Sequence, residues 1–118
     1  MKTYVLFHAS CADGFCAAWV ARQKHPDATF IAVNYGEPVP EMEPGSQVFM
    51  LDFCYDLPDM QVIADASASL ACLDHHKSRK DVLTALLGHP KVVPVFNVDK
   101  SGARLAWEYL NGFDKPVP

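Results

Sequence analysis

The amino-acid sequence predicts an α/β fold, a single three-layer domain with a five-stranded, mainly parallel sheet and helices on both faces. Five apolar runs of strand length alternate with segments whose apolar residues recur at helical spacing, a pattern typical of βαβ units. The chain has 118 residues, of which 50% are hydrophobic, and this suffices for one core rather than two. Such alternation favours right-handed crossovers between parallel strands.

The strands are predicted from short runs of β-branched, aromatic and aliphatic residues bounded by turn residues. They cover Tyr4–Phe7, Thr29–Val33, Val48–Leu51, Ser69–Leu73 and Val92–Phe96. Pro94 cannot donate to a strand ladder, so we expect the fifth strand at a sheet edge or irregular in shape. The proline-rich segment Gly36–Gly45 is the one substantial loop, and its glutamates indicate a solvated rim.

Four helices are predicted between and after these strands. They cover Gly14–Lys24, Pro58–Ala66, Ser78–Leu87 and Ser101–Leu110. In the first helix Phe15, Ala18 and Trp19, with Ala21 or Arg22, recur at helical spacing. The second has a proline in its first turn, where the missing N–H costs no hydrogen bond. The third opens on Ser78-Arg79-Lys80-Asp81, which is similar to a capping box.

Composition narrows the possible functions. The formal net charge of −4 and the pI near 5.6 argue against a long non-specific nucleic-acid track, which needs a basic stripe. Neither a signal-peptide pattern nor a stretch of transmembrane length occurs in the sequence, so we expect no membrane partner and a cytoplasmic protein. The four cysteines lack zinc-finger or CxxC spacing and are expected to be reduced, with Cys16 and Cys72 as small core residues.

Side chains able to bind a divalent cation follow three of the predicted strands. His8 follows the first, with Asp13 shortly after it, Asp52 follows the third, and Asp74-His75-His76 follows the fourth. Because ligands bind outside the carboxyl ends of parallel strands, we expect one composite metal site. Each residue has a structural alternative, since Asp13 and Asp52 could be N-caps and adjacent histidines often lie at the surface. Their joint occurrence in order favours the metal site.

The charge of such a site has a consequence for stability. Without metals, the carboxylates of Asp13, Asp52 and Asp74 would repel one another, so metal binding should stabilise the protein. Three bases follow the histidines, at Lys77, Arg79 and Lys80. They could hold substrate phosphates, although a cluster of bases at a helix start is more often a solvated face.

Four other residues have mainly structural interpretations. His25 and His89 each precede a proline near the expected end of a helix, where a cation suits the helix dipole. Trp19 and Trp107 lie in helical patterns and are expected in the core rather than as base-stacking platforms. The sequence has no Walker loop, GxGxxG or GxSxG, so it does not support a nucleotide-triphosphate motor, a dinucleotide oxidoreductase or a serine hydrolase.

The ordered series of motifs resembles the DHH phosphoesterase superfamily, whose members include RecJ-type exonucleases, oligoribonucleases, cyclic-dinucleotide phosphodiesterases and family II inorganic pyrophosphatases. The series is His8, Cys11-Ala12-Asp13-Gly14, Asp52, Asp74-His75-His76 and Ser101-Gly102-Ala103, and it spans nearly the whole chain. The resemblance implies a hydrolase with two divalent cations, usually Mn²⁺, and a smaller C-terminal domain that helps bind substrate.

The resemblance also implies roles for the metal ligands. By position, Asp52 would bridge the two cations and His8 would bind one of them. Asp13 and His75 would bind the other, and Asp74 would support the histidines or act as a further ligand. Such a site lowers the pKa of a bridging water toward neutrality and presents hydroxide to the phosphorus.

On the substrate side, the resemblance implies that His76 contacts the phosphate, with Asp74 beside it as its catalytic partner. Lys77 would add a positive charge. Ser101 and Gly102 would open a helix whose amides face phosphate. The implied partner is a small anionic substrate or a short single-stranded nucleic acid.

The chain departs from the family pattern in two places. Cys11 stands where the first motif normally carries an aspartate, so either the metal preference has shifted from Mn²⁺ toward Zn²⁺ or Fe²⁺, or Cys11 is a bystander. Mg²⁺ is a further candidate. The family's late metal-binding aspartate is also missing: Asp99 could replace it but is more easily read as the cap of the last helix. The 1–118 chain is therefore expected to be a truncated DHH-type domain.

Three functions of different class follow from these observations. The first is a metal-dependent phosphoesterase acting on a nucleotide, a dinucleotide or a short oligonucleotide. The second is a non-catalytic module of DHH type that binds a nucleotide or a partner protein. The third is a redox or zinc protein that uses the thiols.

Overall fold

The computed structural model describes residues 1–9 and 12–112. The predicted strands and helices occur along them in the predicted order, and every predicted strand is present to within one residue at either end. In chain order the elements are β1 (Thr3–His8), α1 (Ala12–Lys24), β2 (Thr29–Val33), β3 (Gln47–Leu51), α2 (Leu57–Ala66), β4 (Ser69–Asp74), a 3₁₀ turn (Lys77–Arg79), α3 (Lys80–Ala85), β5 (Val92–Phe96) and α4 (Gly102–Asn111).

The five strands form one sheet in the order β2-β1-β3-β4-β5, and every pairing is parallel. The predicted α/β class and parallel sheet are therefore confirmed. Pro94 lies on β5, and β5 is an edge strand, so the missing N–H of the proline falls where a ladder needs it least. The central strands β1, β3 and β4 are almost wholly buried.

Helices cover both faces of the sheet, which gives the predicted three layers. On β1, Tyr4 and Leu6 point to one face while Val5 and Phe7 point to the other, because successive side chains of a strand alternate. The first face packs against α2 and α3, and the second packs against α1 and α4. Strands buried on both faces explain why the sequence shows continuous apolar runs rather than alternation.

The buried face of α1 differs from the expectation for Trp19. Its buried residues are Gly14, Ala17, Ala18, Val20 and Ala21. Phe15 is 56% exposed and Trp19 is 54% exposed, so the expected core position of Trp19 is wrong. Small residues occupy the buried face because α1 packs closely beside α4 as well as on the sheet. Cys16 is also exposed rather than in the core, whereas Cys72 is buried as expected.

The helix starts also correct two expectations. The segment after Ser78 begins as the 3₁₀ turn, and α3 has Arg79 at its N-cap with no side-chain cap, so there is no capping box at Ser78. At α4 the cap is Ser101, whose hydroxyl accepts from the amide of Arg104 at 3.1 Å. Asp99 instead donates its own amide to Asn97 and does not cap the helix.

The longest helix in the described part of the chain is α1, with 13 residues. None of the described helices combines the length and apolar character that a membrane span requires.

Candidate metal centre

The register of the sheet brings three strand ends to the same level. Phe7 pairs with Leu51, and Leu51 pairs with Leu73. The residues that follow them are His8, Asp52 and Asp74, and they therefore leave the sheet side by side. The predicted convergence at the carboxyl end of the strands is present.

The imidazole of His75 lies between two carboxylates. Its Nε2 is 2.7 Å from Oδ1 of Asp52 and 3.1 Å from Oδ2 of Asp13. The other oxygen of Asp52 lies 3.8 Å from Nδ1 of His8. Asp52 is wholly buried, so its carboxylate is removed from water and faces an imidazole on either side.

Asp74 organises the two histidines that follow it. Its Oδ1 accepts from the amides of His75 and His76, at 2.7 and 3.1 Å, and lies 2.6 Å from Nδ1 of His76. Its Oδ2 is buried and has no hydrogen-bond partner in the described part of the chain. A buried carboxylate oxygen without a partner is costly, and a bound cation would remove that cost.

Asp13 does not cap α1 from outside; it lies in the first turn of that helix. Its two carboxylate oxygens accept from the amides of Gly102 and Ala103, at 2.7 and 2.8 Å. These amides were expected to face a substrate phosphate, but in the structure they donate to the Asp13 carboxylate instead. The carboxylate sits at the positive end of α4 and connects α1, α4 and His75.

Two glycines allow the helices to approach the site. A Cβ at Gly102 would lie 2.6 Å from Oδ1 of Asp52, and a Cβ at Gly14 would lie 2.1 Å from the carbonyl oxygen of His8. Both distances are too short for real contacts. Asp52 itself has φ of 58°, a conformation that aspartate adopts more readily than most residues, and it is not an N-cap because α2 begins only at Leu57.

An aromatic and basic wall flanks His8, and only part of it was expected from the sequence. Tyr35 stacks on Phe53 at 4.5 Å between ring centroids and contacts the ring of His8 at 5.5 Å. The Arg79 guanidinium lies 4.9 Å from the Tyr35 ring centroid and donates to Asp56 at 2.6 Å. Arg79 therefore pairs with a protein carboxylate. Tyr35 lies just past the end of β2, so the strand-end pattern that marked the other site residues also applied to it.

The electrostatics of this wall follow from burial. Partial burial, together with the nearby Asp74 carboxylate, raises the pKa of Tyr35 to about 12. The hydrogen bond to Asp56 raises the pKa of Arg79, so this guanidinium remains a fixed cation. A neutral phenol and a fixed cation thus lie beside the carboxylates.

The donor set fits divalent cations. One ligand atom from each of Asp52, Asp74, His75 and His76 lies within 4.8 Å of the others. Carboxylate oxygens suit Mn²⁺ and Mg²⁺, and imidazole nitrogens suit Zn²⁺ and Fe²⁺, so the mixture accepts several of these metals. The position of Cys11 lies outside the described residues.

The remaining candidates are exposed or have other partners. Lys77 is exposed at the start of the 3₁₀ turn. His89 pairs with Asp65 at 3.0 Å, and His25 packs beside Phe49, which fits the structural roles expected for both histidines.

Two of the thiols are buried behind the site. Cys54 and Cys72 are both free and wholly buried. A hydrogen bond to Cys54, together with burial, raises the pKa of the Cys72 thiol. A buried thiol with a raised pKa is a poor nucleophile and a poor metal ligand, so Cys72 gives little support to a redox or zinc function.

Comparisons with known proteins leave the family open. No model of a known protein family matches the chain, and no solved structure matches it. The chain is 27% identical to an uncharacterized protein of Acanthamoeba polyphaga mimivirus over 130 aligned positions, which take in 97% of this chain and 30% of the viral protein. The chain thus spans less than a third of the length of the curated relative that it matches.

Proposed function

We propose that this chain is a metal-dependent phosphohydrolase of DHH type. Its substrate would be a phosphodiester or phosphoanhydride of a nucleotide, a dinucleotide or a short oligonucleotide, cleaved by water that two divalent cations activate. The observation that carries the proposal is the pair of wholly buried carboxylates, Asp52 and Asp74, at converging strand ends, with Oδ2 of Asp74 left without a partner among the described residues. Buried carboxylates in such a place are stabilised by cations.

His8, Asp13, Asp52 and His75 are the proposed ligands of the cations, with Asp74 as a further ligand through its Oδ2, which has no hydrogen-bond partner among the described residues. Asp52 presents one oxygen toward His75 and the other toward His8, which suits a carboxylate that serves two cations. Asp13 shares the His75 side, and its hydrogen bonds from α4 fix its orientation. When bound, the cations would supply Lewis-acid activation of water and of the phosphoryl oxygens. Mn²⁺ is the proposed cofactor, with Zn²⁺, Mg²⁺ or Fe²⁺ as alternatives.

His76 and Asp74 are the proposed catalytic pair. The contact of 2.6 Å between Asp74 Oδ1 and His76 Nδ1 favours a proton on Nδ1, and so fixes the tautomer and the ring orientation. His76 is 33% exposed at its side chain, so its other nitrogen can meet a substrate that enters from solvent. A protonated imidazole there can hold a phosphoryl oxygen or give a proton to the leaving oxygen. Lys77, exposed next to it, adds a positive charge.

The charge of the site favours an anionic substrate. Asp13, Asp52 and Asp74 bring three carboxylates, with three formal negative charges, to the site. Two divalent cations would exceed that charge by one, and the proposed imidazolium of His76 would add to the excess, so the loaded site would attract an anionic substrate. Free, buried thiols at Cys54 and Cys72 fit a reducing compartment, and we propose the cytoplasm as the location.

The test is hydrolysis of bis(p-nitrophenyl) phosphate and of a dinucleotide with Mn²⁺, Zn²⁺ or Mg²⁺ and with EDTA. We expect metal-dependent hydrolysis that Asp52→Asn abolishes, because the amide keeps the shape but loses a charge and an anionic ligand oxygen. Asp65→Asn is the matched control, since Asp65 is an exposed carboxylate that pairs with His89 away from the site. Metal binding by calorimetry without hydrolysis of any phosphate ester would favour the non-catalytic module instead.

A further inference from the structure

The two edges of the sheet differ in their protection against further strand pairing. An edge strand presents unpaired backbone groups, and proteins commonly blunt it with proline, charged side chains or bulges. On β5, Pro94 removes an N–H from the outer side, since the carbonyl of Lys91 and the amide of Asn97 point toward β4 and the direction alternates between them. The other edge strand is β2, whose five residues include neither proline nor a charged side chain. The β2 edge is therefore able to pair with another strand.

The outward backbone groups of β2 belong to Phe30 and Ala32. The carbonyl of Val33 accepts from the amide of Ala9 at 2.9 Å, so the backbone groups of Val33 point toward β1. Because this direction alternates along a strand, those of Ile31 also point toward β1, and those of Phe30 and Ala32 point out of the sheet. The latter make no hydrogen bond to residues 1–9 or 12–112. Two N–H and two C=O groups thus remain for a partner strand.

This edge is complementary to itself. If β2 pairs antiparallel with β2 of a second copy, Phe30 can lie opposite Ala32 and Ile31 opposite Ile31 on a two-fold axis. This register pairs all five residues, and its two hydrogen-bonded pairs exchange four backbone hydrogen bonds. Phe30 packs on the face of α1, and Ala32 lies on the same face because side chains alternate. Each large ring would therefore lie beside a small side chain.

Exposed aromatic rings lie beside the same edge. A cavity of about 380 Å³ separates the outer side of α1 from the sheet and is lined by Phe7, Phe15, Ala18, Trp19, Arg22 and Phe30. Phe15 and Trp19 are one helical turn apart, and each exposes more than half of its surface. A two-fold axis perpendicular to the sheet would bring the α1 helices of two copies side by side on one face. The rings of each copy would then face those of the other.

The available area suits a second copy. A specific interface buries about 1,000 Å² or more over both partners. Fully buried aromatic side chains contribute about 150–250 Å² each, so the exposed parts of Phe15 and Trp19 supply about 200 Å² per copy. The strand edge is about 17 Å long and about 10 Å deep and supplies a similar area. With the exposed parts of Ala32 and Arg22, two copies approach the required area, which corresponds to a weak dimer.

We propose that β2 pairs antiparallel with β2 of a second copy, joining the two sheets into one sheet of ten strands. Phe15 and Trp19 of the two copies pack across the axis on the α1 face. The self-complementary register and the absence of charge on β2 favour a second copy over a different protein. The pairing requires neither metal nor substrate, so it does not depend on the proposed function.

The first test is sedimentation velocity of the full chain over a range of concentrations, where we expect a reversible dimer. Ala32→Pro removes an outward N–H, as Pro94 does on β5, and leaves the bonds to β1 intact. It should raise the dimer Kd by about tenfold or more, because each dimer loses two hydrogen bonds. Trp19→Ala should also raise the Kd. Tyr109→Ala, at an exposed aromatic on α4, is the control and should leave it unchanged.

The second test examines the register by disulfide cross-linking with oxidised glutathione, in a background where Cys11 and Cys16 are replaced by serine. In Ile31→Cys the two Cα atoms should lie about 4.5 Å apart, as in a non-hydrogen-bonded pair, and a disulfide can join them. In Thr29→Cys they should lie about 13 Å apart, which is too far. We expect a covalent dimer on non-reducing gels from Ile31→Cys and none from Thr29→Cys. A wild-type chain that stays monomeric at millimolar concentration, or a dimer that cross-links equally through both positions, would overturn the proposal.

Discussion

Replacing Gly102 by alanine tests how closely α4 approaches the metal centre. The new Cβ would lie 2.6 Å from Oδ1 of Asp52 and 2.8 Å from its Cβ and Cγ. Ordinary contacts begin near 3.4 Å, so the helix start or the aspartate must move by about 0.8 Å. Asp52 cannot move freely, because it is wholly buried and contacts His75. We therefore expect α4 to move.

The magnitude follows from what that movement breaks. The amides of Gly102 and Ala103 donate to Asp13 at 2.7 and 2.8 Å, and the shift would stretch them toward 3.5 Å, the outer limit of a hydrogen bond. Overpacking costs about 1–3 kcal/mol, and a hydrogen bond to a charged group contributes about 1.5–3 kcal/mol. Replacing a helical glycine by alanine raises the free energy of unfolding by up to about 1 kcal/mol, which offsets part of this loss. The expected net loss is about 1.5–5 kcal/mol.

The assay is urea denaturation of Gly102→Ala beside Gly88→Ala. Gly88 is exposed, and a Cβ there would meet no atom within 4 Å, so this control isolates the general effect of adding a methyl group. Gly88→Ala should be neutral or stabilise by up to about 1 kcal/mol. If Gly102→Ala unfolds at the same urea concentration as Gly88→Ala, the close contact between α4 and Asp52 is wrong.

Three further predictions concern the metals and pH. Mn²⁺ at a hundredfold excess over its Kd should raise the free energy of unfolding by about 2.7 kcal/mol, and calorimetry that shows no shift with Mn²⁺, Zn²⁺ or Mg²⁺ would contradict the site. Asp52→Ala should lower Mn²⁺ affinity more than His76→Ala, since Asp52 is wholly buried whereas His76 is a third exposed; equal losses by titration calorimetry would oppose these roles. Burial raises the pKa of Tyr55 to about 12, so the folded state should lose stability as pH rises from the ordinary value of about 10 toward 12. Tyr55→Phe should reduce this alkaline loss in urea titrations to the part due to Tyr35, and should leave stability at pH 7 unchanged or higher, because the Tyr55 hydroxyl is buried with no partner among the described residues.

The strands and their end residues were predictable from the sequence because both depend on local pattern. Apolar runs marked β1 to β5 to within a residue, and Pro94 marked an edge strand. The rule that ligands gather at carboxyl ends then brought His8, Asp52 and Asp74 together without knowledge of the strand order. This convergence also requires that the three strands end at the same level of the sheet, and their register meets that requirement.

The faces and partners of the helices were not predictable in the same way. Periodicity places Phe15 and Trp19 on a helix but does not say which side of that helix the sheet and α4 will cover. The small residues Ala17 and Ala21 face the core because both the sheet and α4 pack against α1 there. The partner of the α4 amides was missed because Asp13 lies 89 residues before Gly102.

The sequence by itself determined the fold class, the strands and the residue types that meet at their ends, because strand burial and parallel connectivity impose local patterns on the chain. Only the tertiary structure determined which hydrogen bonds those residues make and which of them are buried. In that structure the α4 amides donate to Asp13, and Oδ2 of Asp74 is buried without a partner among the described residues. Trp19 is exposed to solvent. These outcomes depend on the strand order and on the distance between helices, which are set by packing between segments far apart in the chain.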